Sequence, residues 1–417
     1  MRGLSLEQAP PLSIPMSFFL TAPLSLAAGG LVIALDSSTA FATRWAPSAA
    51  AAVHLATLGY LAMTMLGALY QMLPVVAGAK VPAVRLAHAV HAMLTAGSAA
   101  LVVGFLSGET LAFELAAALL TAAFVAFLVP MAIAALRARA ELDTVPGMRL
   151  VALALVGVVS LGVWMALGRA GHAYLRDLLR VHLAHVGFGI VLFVGGLIVP
   201  ISWQVVPMFY LTEPYPRWSR VGSLVALGAS TLATPGALFF TSSRLALGVA
   251  LAPAALAVFV VHPAVTLARL AKRRRRRVGE SLRFWQAAMA IAPLTLVVGA
   301  LGFFGDDPRW VVLFGWLALV GWSSVIVHGM STRIVPFLVW FHRYSGRVGE
   351  VAVPSMRELL PDARARLGLV AHVGATIVGA VAIWTQSRAL GVAAGAGLVA
   401  AGLAAFVALV RVLTFAR

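Results

Sequence analysis

Twelve stretches of this chain are long and apolar enough to cross a lipid bilayer, and little is left between them. They run at about 15–35, 50–76, 83–106, 110–136, 148–168, 180–210, 219–241, 246–270, 283–304, 309–341, 366–386 and 389–414. A spanning helix needs roughly 20 mostly apolar residues. Hydrocarbon offers no partner to a backbone N–H or C=O, so a spanning segment is either a helix or a strand of a closed barrel. Barrel strands show weak alternation over about ten residues, which these continuous runs lack. The expected fold class is an all-α integral membrane protein with twelve transmembrane helices. Hydrophobic residues make up 61% of the chain and charged residues 11%, against roughly 45–50% and about 25% in soluble domains. No room remains for a soluble domain.

The net charge of +17 is distributed asymmetrically. With the N-terminus taken as cytoplasmic, the connections after even-numbered runs carry Lys80, Arg85, Arg137, Arg139, Arg149, Arg217, Arg220, Arg269, Lys272 to Arg277, Arg283, Arg343, Arg347, Arg357, Arg364 and Arg366. The other connections carry only Arg44, Arg169, Arg176, Arg180, Arg244, Arg309 and Arg388. Cytoplasmic loops collect Lys and Arg, so both termini are expected in the cytoplasm. The Lys272–Arg277 run reads as a topology anchor that touches anionic lipid. The expected partner is the bilayer, and no nucleic acid is implied. The chain has no cysteine, which excludes disulfides, thiolate metal sites, iron–sulfur clusters and covalent haem attachment. A metal or haem would have to be held by His, Met or carboxylate. The first run lacks the basic start and small-residue cleavage pattern of a signal peptide, so it is expected to be retained.

A seven-residue phrase occurs three times. It reads HLATLGY at 54–60, HLAHVGF at 182–188 and WLALVGW at 316–322. Each phrase opens a run that closes on a similar motif: YQMLP ending at Pro74, WQVVP at Pro207 and TRIVP at Pro336. Internal repeats reveal architecture. Recurrence at runs 2, 6 and 10 divides a single membrane domain, 1–417, into three four-helix pseudo-repeats at 1–140, 141–275 and 276–417. The second copy is about five residues longer between its glycine and its proline. Gly195, Gly196 and Pro200 there are expected to kink or break the helix. The connection at about 342–366 is polar and reads as a loop.

Histidine inside a membrane is costly and marks a functional site by default. Topology places His54, His182 and His185 in the outer third of the bilayer and His172 in an outer loop. His88, His91, His262 and His372 fall toward the cytoplasmic side, with His328 deeper than the phrase that precedes it. His54 and His182 hold equivalent repeat positions, and His185 is one turn from His182 on the same face. Two neutral imidazoles at one depth suit a six-coordinate haem iron or a copper ion. The bland reading is that they hydrogen-bond across helices and bind nothing. His88 and His91 read as a solvated interfacial pair, or with His328 as part of an inner metal site or proton path that His262, His372 and Arg333 could join. Arg176 and Arg180 precede His182. Arginine forks suit carboxylates such as haem propionates, or they pair with Asp177. Glu114 is an intramembrane charge with no partner assignable from sequence. Trp164, Trp310 and Trp316 are expected in an interfacial aromatic belt.

Twelve helices, termini inside, three four-helix blocks and histidines at the outer starts of helices 2 and 6 resemble the haem–copper oxidase subunit I superfamily. The phrases HLATLGYLAMTMLGALYQMLPVV and HLAHVGF…SWQVVPMF are also similar to bacterial membrane proteins related to that subunit, among them NnrS, a membrane protein of the nitric-oxide response. The resemblance covers nearly the whole chain and implies a bacterial inner-membrane location. It implies that His54 is an axial ligand of a non-covalent haem b, and that His182 or His185 matches a helix 6 copper ligand. The chain departs from the family pattern in two places. Run 219–241 has no histidine, and Trp316 stands where the helix 10 histidines would begin. A complete oxygen- or nitric-oxide-reducing centre is therefore not expected. The expected function is haem or copper binding in electron transfer, haem or metal handling, or a nitric-oxide-related response, with a redox partner or membrane subunit. The alternatives are a twelve-helix secondary transporter and a cofactor-free accessory or assembly subunit. Three same-direction repeats count against the usual inverted or two-half transporter plan.

Overall fold

The computed structural model describes residues 8–138, 144–174, 177–275 and 279–415. Twelve helices are long and apolar enough to span a membrane. They are α1 (Ser13–Leu35), α2 (Pro47–Val75), α3 (Val84–Ser107), α4 (Thr110–Arg137), α5 (Thr144–Arg169), α6 (Leu178–Tyr210), α7 (Arg217–Phe240), α8 (Arg244–Ala271), α9 (Ser281–Phe304), α10 (Pro308–Arg347), α11 (Asp362–Thr385) and α12 (Arg388–Thr414). Each corresponds to one apolar run.

The three phrase-bearing helices are the most enclosed. Their apolar windows are 61% (α2), 78% (α6) and 72% (α10) buried, against 28% for α5 and α9. The glycines of the phrases explain part of this. A Cβ on Gly59 would lie 2.6 Å from Ser25 Cβ of α1, and one on Gly321 would lie 2.8 Å from Thr376 Cγ2 of α11. Gly187 is pressed in the same way by Leu251 of α8. Neighbouring helices thus reach the backbone where the repeat has no side chain.

The chain gathers into two compact units. One comprises Tyr70–Arg277 with Ala292–Leu296, and the other Pro10–Leu69, Val278–Ile291 and Val297–Arg417. In the first unit α3 and α4 form a hairpin, α5 lies on α4 and on α6, and α7 packs on α8. The α3–α4 turn closes on Gly108 at φ 77°, a conformation that favours glycine. In the second unit α1 packs on α12, α12 on α11, and α10 on both α11 and α12. The α1–α12 contact is a glycine seam: a Cβ on Gly395 would lie 2.5 Å from both Ala34 N and Gly30 O.

Helix ends follow the sequence. Asp177 accepts from the Arg180 N–H at 3.1 Å, Ser243 from Leu245 at 3.1 Å and Ser387 from Leu390 at 3.4 Å, so α6, α8 and α12 each start on a side-chain cap. At α10, Asp307 caps Arg309 N at 2.9 Å and also takes its guanidinium at 2.6 Å. The Arg309 hydrogen bonds hold the Asp307 carboxyl below its ordinary value of 3.8.

Two expectations change. Gly195, Gly196 and Pro200 do not break α6, which runs continuously from Leu178 to Tyr210. A widened segment, Gly187–Gly195, lies within it, and regular α-helix resumes at Gly196. The polar 342–366 connection is largely structured. α10 continues to Arg347, and Met356–Leu359 forms a short helix with a Ser355–Glu358 capping box. Leu359 and Leu360 are buried with Met16, Phe19, Val335, Leu338 and Leu409. Two leucines in a polar stretch are enough to dock it.

Gly395→Leu is expected to lower the melting temperature in detergent by several degrees, since overpacking costs about 1–3 kcal/mol and here the obstacle is backbone. Gly236→Leu, where nothing lies within 4 Å of a new Cβ, should change it little. Asp307 adds a pH prediction. A depressed folded pKa contributes stability that is present above 3.8 and is lost as pH falls through the lower folded value. The melting-temperature gap between wild type and Asp307→Asn should be full at about pH 6 and close in strong acid.

Candidate functional site

Each repeat phrase overlaps or leads into a widened helical turn. The π-helical segments are Leu55–Ala62 in α2, Gly187–Gly195 in α6 and Leu317–Ser323 in α10. A fourth, Ala257–Val261, lies in α8 just before His262. Such turns close at i+5 and often occur at functional sites. They cost backbone hydrogen bonds, which hydroxyls can replace. Ser323 Oγ donates to Ala318 O at 2.8 Å and lies 3.1 Å from Leu319 O. Thr64 donates to Tyr60 O at 2.8 Å. The aromatic that ends each phrase is buried: Tyr60 at 2%, Phe188 at 4% and Trp322 at 0% exposure. Within the second unit the α2 and α10 segments pack against each other.

The three outer histidines are half-buried. His54 belongs to the second unit, and His182 and His185 to the first. His54 Nδ1 is 2.8 Å from Ala50 O in its own helix. His185 Nδ1 is 3.0 Å from Val158 O of α5, and its Cε1 lies 3.1 Å from where a Cβ on Gly162 would sit. A carbonyl only accepts, so in both rings Nδ1 carries the hydrogen and Nε2 the lone pair. A ligating imidazole is commonly fixed in this way, with its other nitrogen donating to a carbonyl or carboxylate. The chemistry of these two donors therefore fits a haem iron or a copper ion. Among the described residues no group of three or more His, Asp or Glu comes together as a metal cage.

Arg176 lies outside the described residues. Arg180 is engaged at a helix end. Its Nη2 donates to Ala237 O at 2.8 Å and Leu238 O at 2.9 Å, which are carbonyls of the last turn of α7 and suit a cation. Asp177 is 4.0 Å from its Nε. Glu114 has a partner that sequence reasoning missed: His172 Nε2 lies 2.5 Å from its Oε1. The two are 58 residues apart in the chain, so only the fold could pair them.

Trp316 does not belong to an interfacial belt. It is buried, and its indole N–H donates to Thr376 O of α11 at 2.8 Å. Its ring meets Phe41 edge-on at 5.4 Å and lies over Gly379. Trp310 does sit at a helix start, 4.7 Å from Trp384, which also carries Arg309 over its face at 4.8 Å.

The remaining histidines separate. His88 and His91 lie in the first turns of α3, exposed and half-buried respectively, in the first unit. In the same unit buried His262 places Nε2 2.8 Å from Ser202 Oγ. Tyr215 stacks on the His262 ring and bonds Thr266 Oγ1 at 2.8 Å. Burial raises the Tyr215 phenol to about 12. In the second unit His328 and His372 meet, with Nδ1 atoms 3.0 Å apart. Arg333 donates to Ser281 Oγ at 3.0 Å. Intramembrane placement was the only sequence signal for the His328–His372 pair; their contact arises from α10–α11 packing.

No protein-family model matches the chain, and no curated protein sequence matches it.

Trp316→Phe removes the indole N–H bond to Thr376 O together with the indole atoms over Gly379. It is expected to cost about 1–3 kcal/mol, read as a fall in melting temperature with little change in helical circular dichroism.

Proposed function

We propose that this chain is a membrane cofactor protein that holds a non-covalent b-type haem, or a copper ion, through histidines in the starts of α2 and α6. The plan is like that of oxidase subunit I without a complete binuclear centre. The observation that supports this reading is the state of the phrase histidines: the Nδ1 of His54 and of His185 each lies at a backbone carbonyl, the arrangement in which a ligating imidazole would use Nε2. His54 is the candidate ligand in one unit, and His185 or His182 in the other. Such a group would supply one-electron chemistry. The chain's own residues would fix the imidazole tautomers, and Tyr60 and Phe188 are each buried within their own unit.

The described part of α7 holds no histidine, so the proposal stops at electron transfer, haem or metal handling, or a nitric-oxide-related response. Arg180 is left out of it, because its fork caps α7. The Lys/Arg-rich side is taken as cytoplasmic, with both termini there and the protein in a bacterial inner membrane.

The test is a dithionite-minus-air-oxidised spectrum of detergent-purified protein made under haem-replete conditions, with iron and copper analysis on the same sample. A sharp b-type α-band with about one iron per chain, lost in a monodisperse His54→Ala sample, is the expected result. Copper without iron, released by the same variant, would keep the histidine site and shift the role to metal handling. Neither chromophore nor metal would overturn the reading in favour of a transporter or a cofactor-free subunit.

A further inference from the structure

The His328–His372 pair of the second unit is almost fully buried, exposed at 2% and 0%. Its hydrogen bonds define its proton state. His372 Nε2 is 3.2 Å from Val320 O, and a carbonyl accepts, so Nε2 carries the hydrogen. Val320 belongs to the widened turn of α10, where i+5 closure loosens the carbonyls from their usual partners. Neutral His372 then presents a lone pair at Nδ1. The His328 Nδ1 atom 3.0 Å away must be the donor. One lone pair remains for the two rings, on His328 Nε2.

That nitrogen sits over α11 at Gly368, where a Cβ would lie 2.7 Å from it. His328 also borders a cavity of about 10 Å³, lined by Tyr60, Ser331, Thr332, Arg364 and small residues of α12. This is room for about one water. Ser331 Oγ donates to Val327 O and Thr332 Oγ1 to Gly329 O. Tyr60 OH points to Ser324 O at 3.5 Å. With their hydrogens directed at carbonyls, these three oxygens offer lone pairs to the cavity. These three wall groups are acceptors, as a proton-carrying water requires, and Arg364 is the donor in the lining. Thr332 and Arg364, both in its lining, are only half-buried and lie toward the Lys/Arg-rich side of the chain.

We infer that His328 and His372 form a single proton-accepting site, loaded through this cavity by one water. The O–H bond of the hydronium breaks, an Nε2–H bond forms on His328, and neutral water is left behind. The product is one imidazolium hydrogen-bonded through Nδ1 to one imidazole. A second proton would put two cations 3.0 Å apart, which like-charge repulsion resists, so the pair titrates as a unit. The neighbouring charges are few. α9 offers the Phe284 ring, 4.9 Å from His328. α1 offers Pro23, and α12 offers Ala404, Ala405, Ala408 and Leu409. Arg364 is the one cation lining the cavity, and it opposes permanent charging. At the start of α9, Glu280 is neutralised by Arg283 and Arg366. Intramembrane histidines with such access are proton-relay elements in other membrane proteins. The inference does not depend on any cofactor.

The test is solid-state nitrogen NMR of histidine-labelled wild-type protein in bilayers between pH 8 and 4. An N–H···N coupling between two ring nitrogens is expected, with one imidazolium per coupled pair appearing as pH falls. His372→Gln should remove the coupling and leave His328 to titrate alone at a shifted pH. Gly368→Ala should displace the ring and weaken the coupling. Two imidazoliums per pair, or a coupled pair that stays neutral to pH 4, would overturn the proposal, as would absence of the coupling in folded wild-type protein.

Discussion

Every spanning segment here is governed by the cost of an unpaired backbone group in hydrocarbon. That cost, several kcal/mol per group, keeps the chain helical through prolines at 74, 200, 207 and 336 and through glycine-rich stretches. It also turns each relaxation of the helix into an opportunity. Where α10 widens, Val320 O is taken up by His372 and the Ala318 carbonyl by Ser323. Side chains from neighbouring helices are thereby drawn to defined atoms of the backbone. The interhelical bonds of α11, from His372 and to Thr376 O, follow from this constraint.

The polar residues inside the helices sort by the same logic. Ser and Thr hydroxyls mostly return to carbonyls of their own helix, as Thr64, Thr231, Thr234 and Ser331 do. Histidine and tryptophan reach across to neighbours at Val158, Val320 and Thr376. Glycine sets where they can do so. Gly162, Gly368 and Gly379 each face the ring of an interhelical donor, His185, His328 and Trp316. Small residues on one helix therefore act as seats for large polar ones on another, and the pairing adds specificity to contacts that lipid would otherwise leave uncommitted.

The twelve helices were legible because burial in lipid demands long apolar runs, a signal that each segment carries by itself. The phrase repeat was legible for a similar reason: its Gly and terminal aromatic are both dictated by close packing. What could not be read were pairings between segments. Glu114 and His172, His328 and His372, and Arg180 and the end of α7 are joined by the fold alone, far apart in sequence. Trp316 looked like a belt residue by its position near a helix start, yet Gly379 opens a buried place for it. The 342–366 connection looked like a loop because it carries charges of both signs along its length, although Leu359 and Leu360 are buried and fasten it.

A turn closed at i+5 lags the regular helix by one residue, about 100° of rotation. Each phrase therefore resets the phase of its helix partway across the membrane. In α10, Trp316 above the reset and His328 below it both address α11, although twelve residues of unbroken α-helix would turn them by about 120° relative to one another. The repeated phrase works as a phase shifter, which lets the two halves of one span be aimed independently. At these positions the number of residues matters as much as their identity: losing a single residue from Leu317–Ser323 would turn the entire remainder of the helix away from its partners.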